Sequence, residues 1–378
     1  MPKNIVICCD GTNNQFGICN TNVVRMVELV ARDPARQVCY YDPGIGTLAE
    51  QGLLTSVGRA LSRWMALAFA TDLRAKVTIA YAHLMELWEP GDQVYLFGFS
   101  RGAYTVRVLA AVLHAVGLLP PGNAQLIPYV MRLFGGLRHD SSREYWAVLA
   151  SFRRTFARPI PGTDDLHFPV HFLGVWDTVS SVGWIRNPPA YPYTAQLPNV
   201  RIVRHAVAID ERRWFFRPNR ISPQDGQDAR EVWFAGVHSD VGGGYPEQEG
   251  GLWRPPFEWM LREATEAGLL VDAARLERVR TRSTASAKPW ADAQHESLEG
   301  AWWIAEVVPK MVYDPATKRR APGVGLGRHR ALRAGELLDV SVVERLRDAA
   351  YAPPNLSAEF VAGVRASSAR PDTMPYAP

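Results

Sequence analysis

One serine in this chain sits where acyl-transfer chemistry needs it. Ser100 lies in Gly98-Phe99-Ser100-Arg101-Gly102, which fits G-x-S-x-G. Val94 to Phe97 before it is a short apolar run of the kind a buried strand uses. Ala103, Val106, Ala110, Leu113 and Val116 after it recur at helical spacing, and Gly117 with Pro120-Pro121 ends that pattern. Strand, motif and helix in this order predict a nucleophile elbow. The turn is tight, and Gly98 and Gly102 have no Cβ to clash in it. The serine hydroxyl would then stand beside a helix N-terminus, whose partial positive charge suits a developing oxyanion. The plainer alternative is a serine that only caps this helix.

A serine nucleophile needs a base, and the base needs an acid to hold it. His238 closes the run Glu231 to Val237 and opens His238-Ser239-Asp240-Val241-Gly242-Gly243-Gly244-Tyr245. A strand end inside a glycine-rich turn is a fitting place for the base. Two carboxylates lie between Ser100 and His238 at strand ends, Asp177 and Asp210, and chain order cannot choose between them. Asp177 is flanked by Trp176 and Val179, which implies a dry setting where a carboxylate needs a partner. Asp210 is followed by Glu211-Arg212-Arg213, which reads as a charged surface turn or an ion pair. Oxyanion donors are expected from the N–H of Arg101 and from Gly11 or Thr12 in the Asp10-Gly11-Thr12 turn. Asp240 and the three glycines are read as shaping their turn. Two rival readings use the same residues. Asp10, Asp177, His238 and Asp240 could ligate a metal in a phosphoesterase. The fold could also serve as a non-catalytic binding module.

Those residues require elements to carry them. Asn4 to Cys9, Gln37 to Tyr41, Val94 to Phe97, Val170 to Val175, Val200 to Ile209 and Glu231 to Val237 read as strands. Thr21 to Arg32, Asp72 to Trp88 and Phe257 to Gly268 read as helices between or after them. Alternating strands and helices predict an α/β fold with a mostly parallel central sheet and helical insertions. The expected organisation is a core over residues 1–280, with a helical cap over the active site at about 119–166. A C-terminal helical extension over 281–370 would pack on the core, and 371–378 would be a disordered tail. Trp302-Trp303-Ile304 and Val307-Val308 are compatible with strand or helix.

Composition bounds the function. The chain of 378 residues is 47% hydrophobic and 21% charged, with a net charge of +4, as for an ordinary soluble protein. Of its 42 Lys and Arg residues only Lys3, Lys76, Lys288, Lys310 and Lys318 are lysines, and the arginines are scattered. No nucleic-acid arm is expected from this pattern. The 12 tryptophans leave room for a peripheral contact with lipid. Cys8, Cys9, Cys19 and Cys39 show no C-x-x-C spacing, and because Cys8 and Cys9 lie in an apolar strand, buried thiols in a reducing compartment are expected there. Neither a signal peptide nor a membrane span is legible, so a cytoplasmic protein is expected, with export by a specialised system left open. The serine mechanism needs no metal or organic cofactor.

Longer blocks carry a resemblance. DGTNN, YYDPGIGT, GDQVYLFGFSRGAYTVR, FLGVWDTVSSVG, HAVAIDERRWFF and FAGVHSDVGGGY resemble the DUF2235 family of α/β-hydrolase domains. That family includes the Tle1-type phospholipase effectors of bacterial type VI secretion. The resemblance runs from about Asn4 to Asp272, with fainter echoes from His295 to Lys310 and Val340 to Leu356. It implies an α/β-hydrolase fold, Ser100 as nucleophile, Asp177 as acid and His238 as base. It also implies a carboxylic ester hydrolase, with phospholipid acyl esters as the substrate in the effector branch.

Overall fold

The computed structural model describes residues 2–11, 17, 19–44, 58–137, 142–162, 167–179, 191–282, 286–300, 302–307, 309–314, 319–348 and 350–378. The chain opens with β1 (Asn4–Cys9), α1 (Asn22–Leu29), β2 (Gln37–Asp42), α2 (Gly58–Leu87), β3 (Gln93–Phe99) and α3 (Ser100–Val116). Next come α4 (Ile127–Gly136), α5 (Arg143–Phe156), β4 (Val170–Trp176), β5 (Val200–Ala208), β6 (Asp228–Phe234) and α6 (His238–Gly242). Then follow α7 (Arg254–Glu266), α8 (Ala273–Arg282), α9 (Trp302–Glu306) and a hairpin of β7 (Lys310–Asp314) with β8 (Arg319–Gly323). The last elements are β9 (Leu337–Asp339), α10 (Val340–Leu346), α11 (Ala358–Ala366) and β10 (Thr373–Pro375).

One sheet of eight strands runs in the order β10-β9-β6-β5-β4-β3-β1-β2. Every neighbouring pair from β9 to β2 is parallel, and only β10 is antiparallel. A parallel sheet is covered on both faces, so its strands are apolar throughout rather than alternating. β1 is buried along its whole length. Its successive side chains still go to opposite layers. Ile5 and Ile7 pack with α2 to α5, while Val6 and Cys8 pack with α1, α7 and α8. A third apolar cluster joins Val207, Trp233 and Leu338 to Val342, Val343 and Leu346 of α10 and Val361 and Val364 of α11.

Local chemistry sets the element ends. Thr21 caps α1 by accepting from the Val24 N–H at 3.2 Å. Gly117 ends α3 at φ 74°, donating to the Leu113 carbonyl at 3.0 Å. α7 begins three residues before the periodic pattern suggests. Pro255 and Pro256 fall in its first turn, where no backbone donor is required. The 302–306 segment is helical.

Two differences from the sequence reading matter. The C-terminal region is not only a helical extension. It adds β9 and β10 to the main sheet. The 371–378 tail is ordered rather than disordered. Tyr376 is buried, its N–H donates to the Glu336 carbonyl at 2.7 Å and its hydroxyl accepts from the Ser357 N–H at 3.0 Å. A three-residue strand against another three-residue strand leaves no periodic signal to read. Within the insertion expected at about 119–166, α5 is anchored at its C-terminal end. Arg153 donates to the carbonyls of His114 and Ala115, and the Arg158 N–H to that of Leu118. Those anchors lie at the C-terminal end of α3. Ser100 opens the other end of that 17-residue helix, roughly 25 Å away at 1.5 Å per residue.

Candidate active site

The chain passes from β1 outward to β2, then returns to place β3 on the other side of β1. The carboxyl ends of β1 and β3 therefore flank the sheet's switch point, where open α/β sheets bind ligands. Gly11 follows β1 and Ser100 follows β3 at that point. Ser100 has φ 57°, a left-handed conformation costly for a residue with a Cβ. Its neighbours must be glycine. A Cβ on Gly102 would come within 2.2 Å of the Cys9 carbonyl oxygen, and one on Gly98 within 2.6 Å of the Ala103 Cα.

His238 opens α6 directly after β6 and the 235–237 turn. A Cβ on Gly242 would overlap the Phe99 ring at 1.9 Å, so glycine there lets α6 close onto the end of β3. Phe99 and Phe216 hold the imidazole between them, with ring centroids 4.6 and 4.8 Å away. Its Nε2 lies 2.8 Å from Ser100 Oγ and its Nδ1 lies 2.5 Å from Asp177 Oδ2. With the carboxylate ionised, Nδ1 carries the proton and Nε2 accepts from the hydroxyl. All three side chains are buried. Burial pushes the His238 pKa down against the opposing pull of Asp177, so the imidazole is neutral near pH 7.

Asp177 follows β4 at φ 38°. Its Oδ1 accepts from the Ala208 N–H at 3.0 Å and from Arg330 Nη1 at 2.6 Å, and its Oδ2 from Arg330 Nη2 at 3.0 Å. Burial pushes its carboxyl up, but the Arg330 guanidinium and His238 outweigh that and hold it well below the usual range. Arg330 was not singled out from the sequence. It lies far along the chain in a stretch without periodicity, and only the fold brings it here. Glu211 is a second such residue. It accepts from the His238 N–H at 3.1 Å, from Ser297 Oγ, and from Arg213 through both oxygens.

Asp210 occupies a different place. Its Oδ2 accepts from the Gly236 N–H at 2.7 Å and the Tyr351 hydroxyl at 2.9 Å. The surface turn expected at Asp210-Glu211 is in fact interior, with both residues buried. The ion pair read as the alternative is present between Glu211 and Arg213, and the Tyr351 hydroxyl serves Asp210. Burial raises the Asp210 pKa to about 6. Gly11 donates its N–H to Asp10 Oδ1 at 2.7 Å, and Asp10 Oδ2 accepts from Thr21 and Tyr41. Thr12 lies outside the described residues. Arg101 is in the first turn of α3. Asp240 accepts from the Val237 N–H at 3.0 Å and from His295 Nδ1 at 2.6 Å. Of the four residues of the metal reading, Asp177 and His238 contact each other, while Asp10 is hydrogen-bonded to Thr21 and Tyr41 and Asp240 to His295. Among the described residues no group of three or more His, Cys, Asp or Glu side chains is arranged to hold a metal ion. A crevice of about 1430 Å³ lies between α7, residues 288–294 and residues 350–354, and none of Ser100, Asp177 and His238 lines it.

A mostly parallel sheet flanked by helices, with a serine on a strained turn between strand and helix, defines an α/β-hydrolase. The chain belongs to the family described as type VI secretion phospholipase effector Tle1-like, catalytic domain, whose model matches residues 3–263. That membership supports phospholipase or esterase activity in general. An uncharacterized protein of Saccharomyces cerevisiae is 36% identical over 231 residues, covering 58% of this chain and 33% of the yeast protein. The chain thus spans about a third of that relative's length. Among solved structures, an uncharacterized protein from Pseudomonas aeruginosa overlaps with a TM-score of 0.44 at 18% identity, over 76% of this chain and 49% of that one. The Tle1 effector bound to the VgrG spike of the type VI secretion system overlaps with a TM-score of 0.34 at 20% identity, over 65% of this chain and 51% of that one. Among the described residues no helix is long and apolar enough to cross a membrane.

Proposed function

We propose that the protein is a serine hydrolase that cleaves carboxylic esters, with phospholipid acyl esters as its substrate class. The observation that carries this reading is the line from Ser100 Oγ to His238 Nε2, 2.8 Å, and from His238 Nδ1 to Asp177 Oδ2, 2.5 Å. Ser100 Oγ attacks the acyl carbon while His238 Nε2 takes its proton. The resulting imidazolium is stabilised by Asp177. The tetrahedral intermediate collapses by expelling the alcohol, to which His238 returns the proton, and an acyl-serine remains. Water then repeats the sequence and releases the carboxylic acid. The oxyanion donors are the N–H of Arg101 and an N–H of the turn after β1. Gly11 would have to release Asp10 to serve.

The test is Ser100→Ala, assayed on phospholipids and on soluble esters and labelled with a fluorophosphonate. Loss of about 10⁶-fold in kcat with loss of labelling is expected. Near wild-type hydrolysis by folded Ser100→Ala protein would refute the reading.

A further inference from the structure

We infer that α9 and the turn at Leu326 form the surface by which the protein docks on a lipid bilayer. The inference rests on the ester-lipid reading of the site beside it. Nine large apolar side chains are exposed among the described residues, and five of them fall here, so they form a patch rather than scatter. They are Trp302 (36% exposed), Trp303 (48%), Ile304 (69%), Val307 (59%) and Leu326 (54%).

The patch is built, not frayed. Glu306, fully buried in α9, accepts from the Trp214 N–H at 2.6 Å and from the Gly327 N–H at 2.9 Å. Its carbonyl accepts from the Gly325 N–H at 3.0 Å. One carboxylate therefore ties α9 to the 214–216 turn and to the 325–327 turn. Leu326 is held outward at φ 54°, a conformation an ordinary residue adopts only when its surroundings impose it.

The rim and the position favour a bilayer as occupant. Arg217 stacks on Trp214 at 3.4 Å and Arg212, paired with Glu296, lies over Trp303 at 5.9 Å, while Arg213 over Trp302 at 5.0 Å is committed to Glu211. Tryptophan and arginine around an apolar knob match the headgroup zone, where indoles settle and cations meet anionic lipid. Trp302 packs on Phe216 at 5.4 Å, and Phe216 packs on His238 at 4.8 Å. An acyl ester leaving a membrane at this patch would reach the reacting serine past two rings. A second copy of the chain is a poorer fit, since a stable protein interface uses about 20–30 residues a side.

The experiment uses the full chain carrying Ser100→Ala, which leaves vesicles intact, and phosphatidylcholine vesicles with and without phosphatidylglycerol. The parent should cosediment, more so with phosphatidylglycerol. Adding Ile304→Ser, Val307→Ser and Leu326→Asn should lower partitioning by about ten-fold or more. All three side chains are solvent-exposed, so the melting temperature should hold. Ile304→Ser alone is the milder variant should the triple one fail to fold. With Ser100 restored, the triple variant should lose activity on vesicles and keep it on a monomeric short-chain ester. Equal partitioning of parent and variant, or no partitioning by the parent, would overturn the docking surface. So would a wild-type dimer that the triple variant dissolves, because the patch would then belong to a second copy. A wild type that hydrolyses no ester refutes the proposed reaction alone, and the vesicle result still decides the docking.

Discussion

Arg330 grips Asp177 through both terminal nitrogens, at 2.6 and 3.0 Å, from 153 residues further along the chain. It also donates to the carbonyls of Ala208 and Phe216. It touches neither Ser100 nor His238 in these contacts, so its proposed role is to position the carboxylate. Arg330→Lys keeps a charge but loses the fork, and should lower kcat by about 10²-fold with KM little changed. Arg330→Ala leaves Asp177 buried without its cation and should cost about 3 kcal/mol of stability. Guanidinium in the assay should restore part of its activity, which a merely structural arginine would not show. Folded variants with wild-type kcat would remove the positioning role.

Asp177 and Asp210 should separate cleanly by substitution. Asp177→Asn would favour the wrong imidazole tautomer and should cost up to about 10⁴-fold in kcat. Asp210→Asn keeps an oxygen for the Gly236 N–H and Tyr351 and should keep most of the activity. Steady-state rates of the two folded variants decide the matter, and the reverse pattern would move the acid to Asp210.

The pH profile should reflect a depressed histidine. His238 must be neutral to act as base, and burial lowers its pKa from 6.5. Activity, read as kcat/KM, should therefore be sustained down to pH 6.5 and fall only below it. Asp177 opposes that depression, so the acid limb should move lower still in Asp177→Asn. A wild-type limb above pH 7 would count against a buried neutral His238.

His295 offers a separate test through stability. Its Nδ1 lies 2.6 Å from Asp240 Oδ1, its ring stacks on Tyr245 at 3.7 Å, and the hydrogen bond to Asp240 raises its pKa. A raised histidine pKa means the folded state holds its proton more tightly. The stabilisation is complete below the ordinary value of 6.5 and is lost as pH rises through the folded value. Thermal melting of wild type and His295→Phe should differ more at pH 5.5 than at pH 8.5. Equal differences at both would show that Asp240 does not pair with a charged His295.

The sequence alone determined the elbow, the strands around it and the parallel α/β class. Those features are local: a G-x-S-x-G between an apolar run and a helical stripe, and glycines where no Cβ fits. It also singled out His238 and Asp177, because strand ends in this class gather at one edge of the sheet. The sequence favoured Asp177 by its dry flanks, and the tertiary structure places it against the imidazole, while Asp210 at the end of the adjacent strand meets Gly236 and Tyr351. Burial of Asp210 and Glu211 could not be read from a charged run, because Tyr351 and Ser297, which join Arg213 in satisfying them, lie far along the chain. The anchoring of Arg153 of α5 at the C-terminal end of α3 and the pairing of β9 with β10 were equally hidden. Arg330 is the clearest instance. A guanidinium 153 residues from its carboxylate leaves no periodicity, motif or spacing in the chain, and only the closed fold gives it a partner.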